Sequence, residues 1–157
     1  MTRFRPFQPV DSLAENNQTL LEALAGLMIP PSERYQTPGA DDPTIFADIV
    51  ETAKRRGEEL VHALEVIRTS TPISDNFLEL GSDEQLSIIR ELQTRSPDVL
   101  GPIVAVVCQC YYRDDRVMRS LGMPTHAPFP TGYQIPQGDW SLLDPVRERS
   151  DKVWRDA

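Results

Sequence analysis

From Gly122 to Pro145 the chain carries five prolines and three glycines, too many for a helix or strand to persist. The same stretch holds Phe129, Tyr133, Ile135, Trp140, Leu142 and Leu143, an apolar load that solvated linkers lack. An irregular segment that is also apolar needs a surface to lie on, either the chain's own core or another protein. Regular structure must therefore be made upstream of Gly122.

Upstream, every periodic pattern is helical. Pro6 and Pro9 keep residues 1–10 out of a helix, so they read as an N-terminal extension. A first helix is expected from about Ser12 to Met28, with Thr19 and Glu22 as a capping box and Leu20, Leu21, Leu24, Leu27 and Met28 as its stripe. Pro30-Pro31 ends it. Asp42-Pro43 is an N-cap followed by a first-turn proline. From there Ile45, Phe46, Ile49, Val50, Ala53, Leu60, Val61, Leu64 and Ile67 keep one face at spacings of three and four. That face stays in phase across Gly57, which predicts one long, bent helix to about Thr69. A turn at Asp75–Gly81 precedes a second capping box, Ser82-Asp83-Glu84-Gln85, and a helix with Leu86, Ile89 and Leu92 inward. Pro97-Asp98 opens the most apolar element, Val99 to Tyr112, which is apolar nearly all round and so predicted to be central and buried. Asp114 or Asp115 caps a last short helix, and Gly122 ends it. No segment alternates as a strand would. The expected fold is all-α, an irregular bundle of about five helices over residues 11–121, with residues 122–157 as an extended Pro/aromatic-rich C-terminal arm.

At 157 residues the chain is one domain long, enough to bury about 70% of its unfolded surface. Its net charge of −8 is uneven: residues 11–98 hold 17 acidic and 7 basic side chains, whereas 99–157 hold 7 of each. An acidic body argues against nucleic acid and anionic membrane surfaces, whose recognition relies on Lys and Arg. No apolar run approaches 18 residues, so no membrane span is expected. Arg3 and Arg5 are not a twin-arginine pair and no apolar stretch follows them, so the expected location is cytoplasmic.

Chemistry is sparse. His62 and His126 are the two histidines, with neither His-x3-His nor Cys-x2-Cys spacing to hold a metal. Cys108 and Cys110 point about 200° apart on a helix and read as core thiols. Asp41-Asp42 and Asp114-Asp115 read as helix caps rather than acid–base pairs. The eight glycines form neither a dinucleotide fingerprint nor a phosphate loop, and no serine lies in GxSxG. No catalytic, cofactor-binding or metal site is therefore expected. Six of eleven aromatics lie at or after Tyr111. Tyr111, Tyr112 and Trp140 could finish the core or anchor a partner, since aromatics and Arg are enriched where interfaces are strongest. Arg113, Arg116 and Arg119 recur every third residue beside them and could meet acidic groups of that partner.

In order along the chain, Leu20-Leu21-Glu22-Ala23-Leu24-Ala25 with Met28-Ile29-Pro30-Pro31, Pro38-Gly39-Ala40, Phe77-Leu78-Glu79-Leu80-Gly81-Ser82-Asp83-Glu84-Gln85, Tyr111-Tyr112-Arg113-Asp114, Leu121-Gly122, Gly132-Tyr133 and Trp140 resemble the gluconate 2-dehydrogenase subunit 3 family. The resemblance implies a small, non-catalytic helical subunit that binds no flavin itself. It would accompany a large FAD-dependent oxidoreductase of the glucose–methanol–choline type in a hetero-oligomer. Many members of that family carry a twin-arginine signal; this chain does not show one. The expected partner interface is Tyr111, Tyr112, Arg113, Arg116, Arg119, Phe129, Tyr133, Trp140, Leu142 and Leu143. The alternatives are a self-associating helical scaffold, whose arm swaps between copies, and a small helical ligand-binding protein.

Overall fold

The computed structural model describes residues 9–70, 76–126, 132 and 137–153. The chain divides into two compact units, Met1–Thr125 and His126–Ala157. The first holds α1 (Glu15–Met28), α2 (Pro43–Arg56), α3 (Glu58–Ser70), α4 (Ser82–Arg95), α5 (Pro97–Tyr111) and α6 (Asp115–Ser120), and the second holds α7 (Asp144–Val153). Short 3-10 turns occur at Phe77–Glu79 and Trp140–Leu143. Apart from one antiparallel pairing of Ser32 with Thr37, no strand occurs among the described residues. The all-α expectation holds.

Within the first unit α5 is the element the others gather around: it packs against α2, α3 and α4. Ile103, Val106, Val107, Cys110 and Tyr111 form its buried face. They meet Ile45 and Ile49 of α2, and Leu60, Leu64 and Ile67 of α3, within a single buried cluster that Val117 of α6 joins. Each such side chain contributes about 1.5–3 kcal/mol on burial, so the cluster supplies the driving force for the unit. α1 lies against α3 and α2. Its buried Asn17 accepts from the Arg68 guanidinium of α3 at 2.7 Å, so the polar group α1 brings inward is satisfied.

Four expectations need correction. First, the long second helix is two helices. Gly57 adopts φ 55, ψ −123, a conformation that side-chain-bearing residues avoid, and its N–H closes α2 on the Ala53 carbonyl at 3.1 Å. The apolar face stayed in phase because both helices cover the same core. A better signal was the charge order: Lys54-Arg55-Arg56 before the glycine suits a helix C-terminus, and Glu58-Glu59 after it suits an N-terminus. Second, Thr19 does not cap α1. The helix is already formed at Glu15, and the Thr19 hydroxyl donates back to the Glu15 carbonyl at 3.0 Å. Third, the cap of α4 is Gly81, not Ser82. Only half of a capping box exists: Glu84 Oε2 accepts from the Gly81 N–H at 3.2 Å, and a glycine has no side chain to reciprocate. Fourth, residues 122–157 are not extended throughout, since Trp140–Leu143 and Asp144–Val153 are helical. The Gly57 break and α7 account for seven α-helices among the described residues where about five were expected.

Asp114 does cap α6, accepting from the Arg116 N–H at 2.8 Å. Gly122 closes the same helix at φ 71, with its N–H on the Arg119 carbonyl and the Met123 N–H on the Met118 carbonyl, a Schellman ending.

The Gly57 break can be tested against a glycine inside a helix. Gly57→Ala should lower unfolding stability by about 1–3 kcal/mol, because its backbone conformation is closed to alanine. Gly101→Ala should raise it by up to about 1 kcal/mol, since Gly101 lies within α5 with open space where a Cβ would go. Urea denaturation of the two variants measures both, and a stabilising Gly57→Ala would restore the single long helix.

Candidate interaction surface

The aromatic and basic residues around the α5–α6 corner are tied to the N-terminal part of α2 and the loop before it. Tyr111 is only 5% exposed, and its hydroxyl donates to the Pro38 carbonyl at 3.3 Å. Arg113 grips α2 with a bidentate fork on Asp48, its Nε donating to Oδ2 at 2.5 Å and its Nη2 to Oδ1, and Nη2 also reaches Thr52 Oγ1 at 2.9 Å. The thiol of Cys110 donates to the same threonine oxygen at 3.4 Å. Arg116 lies between two carboxylates: it donates to Asp42 at 2.7 and 3.1 Å and to Asp114 at 3.0 and 3.1 Å. Asp42 is the N-cap of α2 and Asp114 the N-cap of α6, so one guanidinium joins the starts of two helices. Arg119 pairs with Asp115 one turn away at 2.9 Å.

These contacts correct part of the expected interface. Tyr111 belongs to the core, and its hydroxyl is spoken for. Arg113, Arg116 and Arg119 are not a free basic edge, because each already holds a carboxylate of this chain. The Asp48 partner of Arg113 and the Asp42 partner of Arg116 are not legible locally, since each lies more than sixty residues away from its arginine. Tyr112 is 55% exposed, standing edge-on against Tyr111. Leu121 and Met123, which the sequence reading passed over, are also exposed just beyond α6.

In the second unit Trp140, Leu142 and Leu143 are exposed, and Val146 on α7 adds a fourth apolar side chain. Asp139 organises the turn, its Oδ1 accepting from the Ser141 N–H at 3.0 Å and the Ser141 hydroxyl at 2.6 Å, while the Trp140 indole donates to Gln137 at 2.9 Å. Trp140, Leu143 and Val146 follow at spacings of three, which places them along one side of a 3-10 turn running into a helix. Phe129 and Tyr133 lie outside the described residues.

For chemistry the corner offers little. The Arg116 guanidinium holds Asp42 and Asp114 below the usual aspartate range, and Arg113 does the same for Asp48. These carboxylates stay ionised at neutral pH, so they are poor proton donors there. Burial pushes the Cys110 thiol up, away from the reactive thiolate form. His62 is exposed beside an open cleft shared with Glu59 and Asp98. Among the described residues no group of three or more His, Cys, Asp or Glu side chains could hold a metal, and no helix is long and apolar enough to cross a membrane.

The sign of the pH effect follows from the lowered carboxylates. Their contribution is complete above the ordinary aspartate value and is lost as pH falls through the lowered folded-state values. Arg116→Ala should cost about 1 kcal/mol at neutral pH, a modest figure because the pair is partly solvated. The advantage of the wild type over the variant should shrink progressively below about pH 4, where the aspartates of the unfolded chain take up protons before those of the folded chain. Urea midpoints from pH 2 to pH 7 check this, and a gap that persists unchanged into acid would refute it.

Comparison with protein-family models, with curated proteins and with solved structures finds no match for this chain.

Proposed function

We propose that this chain is a non-catalytic accessory subunit that binds and stabilises a large FAD-dependent oxidoreductase acting on a sugar or alcohol. The observation that carries the docking part is the exposed apolar ridge of Trp140, Leu142, Leu143 and Val146, whose exposures run from 42% to 75%. Four large apolar side chains within seven residues of short helical structure make a compact anchor, and aromatic and aliphatic anchors dominate binding energy once they are buried on a partner. Tyr112, Leu121 and Met123 are further exposed apolar groups available to such a partner. The identity of the partner rests on the family-like order of motifs from Leu20 to Trp140. The flavin would sit in the large subunit, and this chain would contribute buried area rather than reacting groups.

The test is co-expression with a large FAD-dependent oxidoreductase of the glucose–methanol–choline type from the same genome. Soluble, flavin-loaded large subunit should be recovered in good yield with this chain and poorly without it. Equal recovery in both cases would sink the proposal. Trp140→Ala combined with Leu143→Ala should weaken association at least tenfold. The same double variant should change the stability of the isolated chain by less than about 0.5 kcal/mol, because both side chains are exposed. If instead the isolated chain sediments as a dimer that this double variant dissolves, the ridge serves self-association and the accessory role falls.

A further inference from the structure

A second apolar feature lies in the first unit, away from the α5–α6 corner. Between α1, α4 and α5 a cavity of about 150 Å³ opens on one side to solvent. Its floor is Leu24, Ile67 and Ile103, each at most 3% exposed. Half-buried aliphatic side chains such as Leu27, Leu86 and Ile89 wall it, and the exposed Gln93 and Val104 stand at the mouth. Of the ten residues that line it, nine are aliphatic or methionine and one is the carboxamide of Gln93.

The size and chemistry of this cavity narrow what can enter. Among the described residues no buried side-chain polar atom lacks a hydrogen bond, so nothing in the floor or walls asks for a water. A space of this volume, lined almost wholly by aliphatic groups, accepts a molecule about the size of benzene, which would displace water that the walls cannot hydrogen-bond. It is too small for a nucleotide or flavin, whose sites are several hundred cubic ångströms. A charged group would lose its hydration with no counter-charge among the lining residues. Gln93 alone can donate to or accept from a polar substituent, and it does so at the entrance, where such a substituent would remain partly solvated.

We infer that this cavity is a binding site for an uncharged hydrocarbon group of ring size or branched-chain size, bare or carrying one hydroxyl or carbonyl directed at Gln93. The site is independent of the docking ridge, being built from α1, α3, α4 and α5 alone, so it stands or falls without the accessory-subunit reading. Filling it would stabilise the folded chain, because the ligand has no comparable site on the unfolded one.

Benzene and cyclohexanol are suitable probes for the purified full chain, read by methyl NMR and thermal unfolding. Both should produce saturable shifts at Leu24, Ile67 and Ile103, leave Ile45 and Ile49 unmoved, and raise the melting temperature. Leu86→Phe, which places a ring in the cavity, should weaken both probes at least tenfold. Ile89→Phe serves the same purpose if the first variant folds poorly. Gln93→Leu should weaken cyclohexanol several-fold while sparing benzene. No saturable shift at the floor methyls would overturn the inference, as would shifts that survive in a folded cavity-filled variant. A dimer that benzene dissociates would also overturn it, because a second copy would then occupy the cavity.

Discussion

Beyond Asp98, α5 carries no charged side chain, and that constraint governs the first unit. A helix of this composition is unstable in water by itself and must be covered by other elements. Three helices, α2, α3 and α4, supply that cover, and their own amphipathic stripes are satisfied in the same step. The break at Gly57 serves this arrangement. A continuous helix over residues 43–70 would run about 40 Å in one direction, well past the 15-residue α5 it has to cover. Two shorter helices bring both halves of the same apolar face onto one centre.

The end of α5 is then fixed by polar contacts rather than by more apolar burial. Tyr111, Arg113 and Arg116 each reach back to the segment between Pro38 and Thr52. Arg116 is well suited to this because a planar guanidinium can serve two carboxylates at once, whereas a lysine would hold them as a point charge. Each exposed pair is individually weak, yet together they fix where α6 begins and how the chain leaves it toward Gly122. The aromatic and basic cluster that looked like an interface is thus largely the clasp of the fold. Candidate docking groups are displaced outward, to Tyr112, Leu121 and Met123 in the first unit and to the Trp140–Val146 ridge in the second.

Much of this was legible in the residues. The prolines and caps at Asp42-Pro43, Pro97 and Asp114, the burial of α5 and the stop at Gly122 all follow from local rules. Local rules failed where two of them competed. At Gly57 a continuous apolar phase outweighed the conformational freedom of glycine and the reversal of charge across it. At Thr19 a capping pattern occurred inside a helix that had already begun. At Trp140–Val153 the density of prolines upstream concealed a turn and helix that start only after Gly138.

The sequence by itself determined the helical class, most helix boundaries and which element is central, because these depend on period, proline and caps over spans of four to fifteen residues. Tertiary structure alone decided the fate of Tyr111, Arg113 and Arg116, since burial and pairing depend on groups sixty to seventy residues distant in the chain. It also decided that the apolar stripes of α1, α4 and α5 leave a ring-sized cavity between them. A stripe specifies which side of a helix faces inward. Whether the side chains of three such helices fill the space between them depends on their mutual distance and angle, and no single helix encodes that.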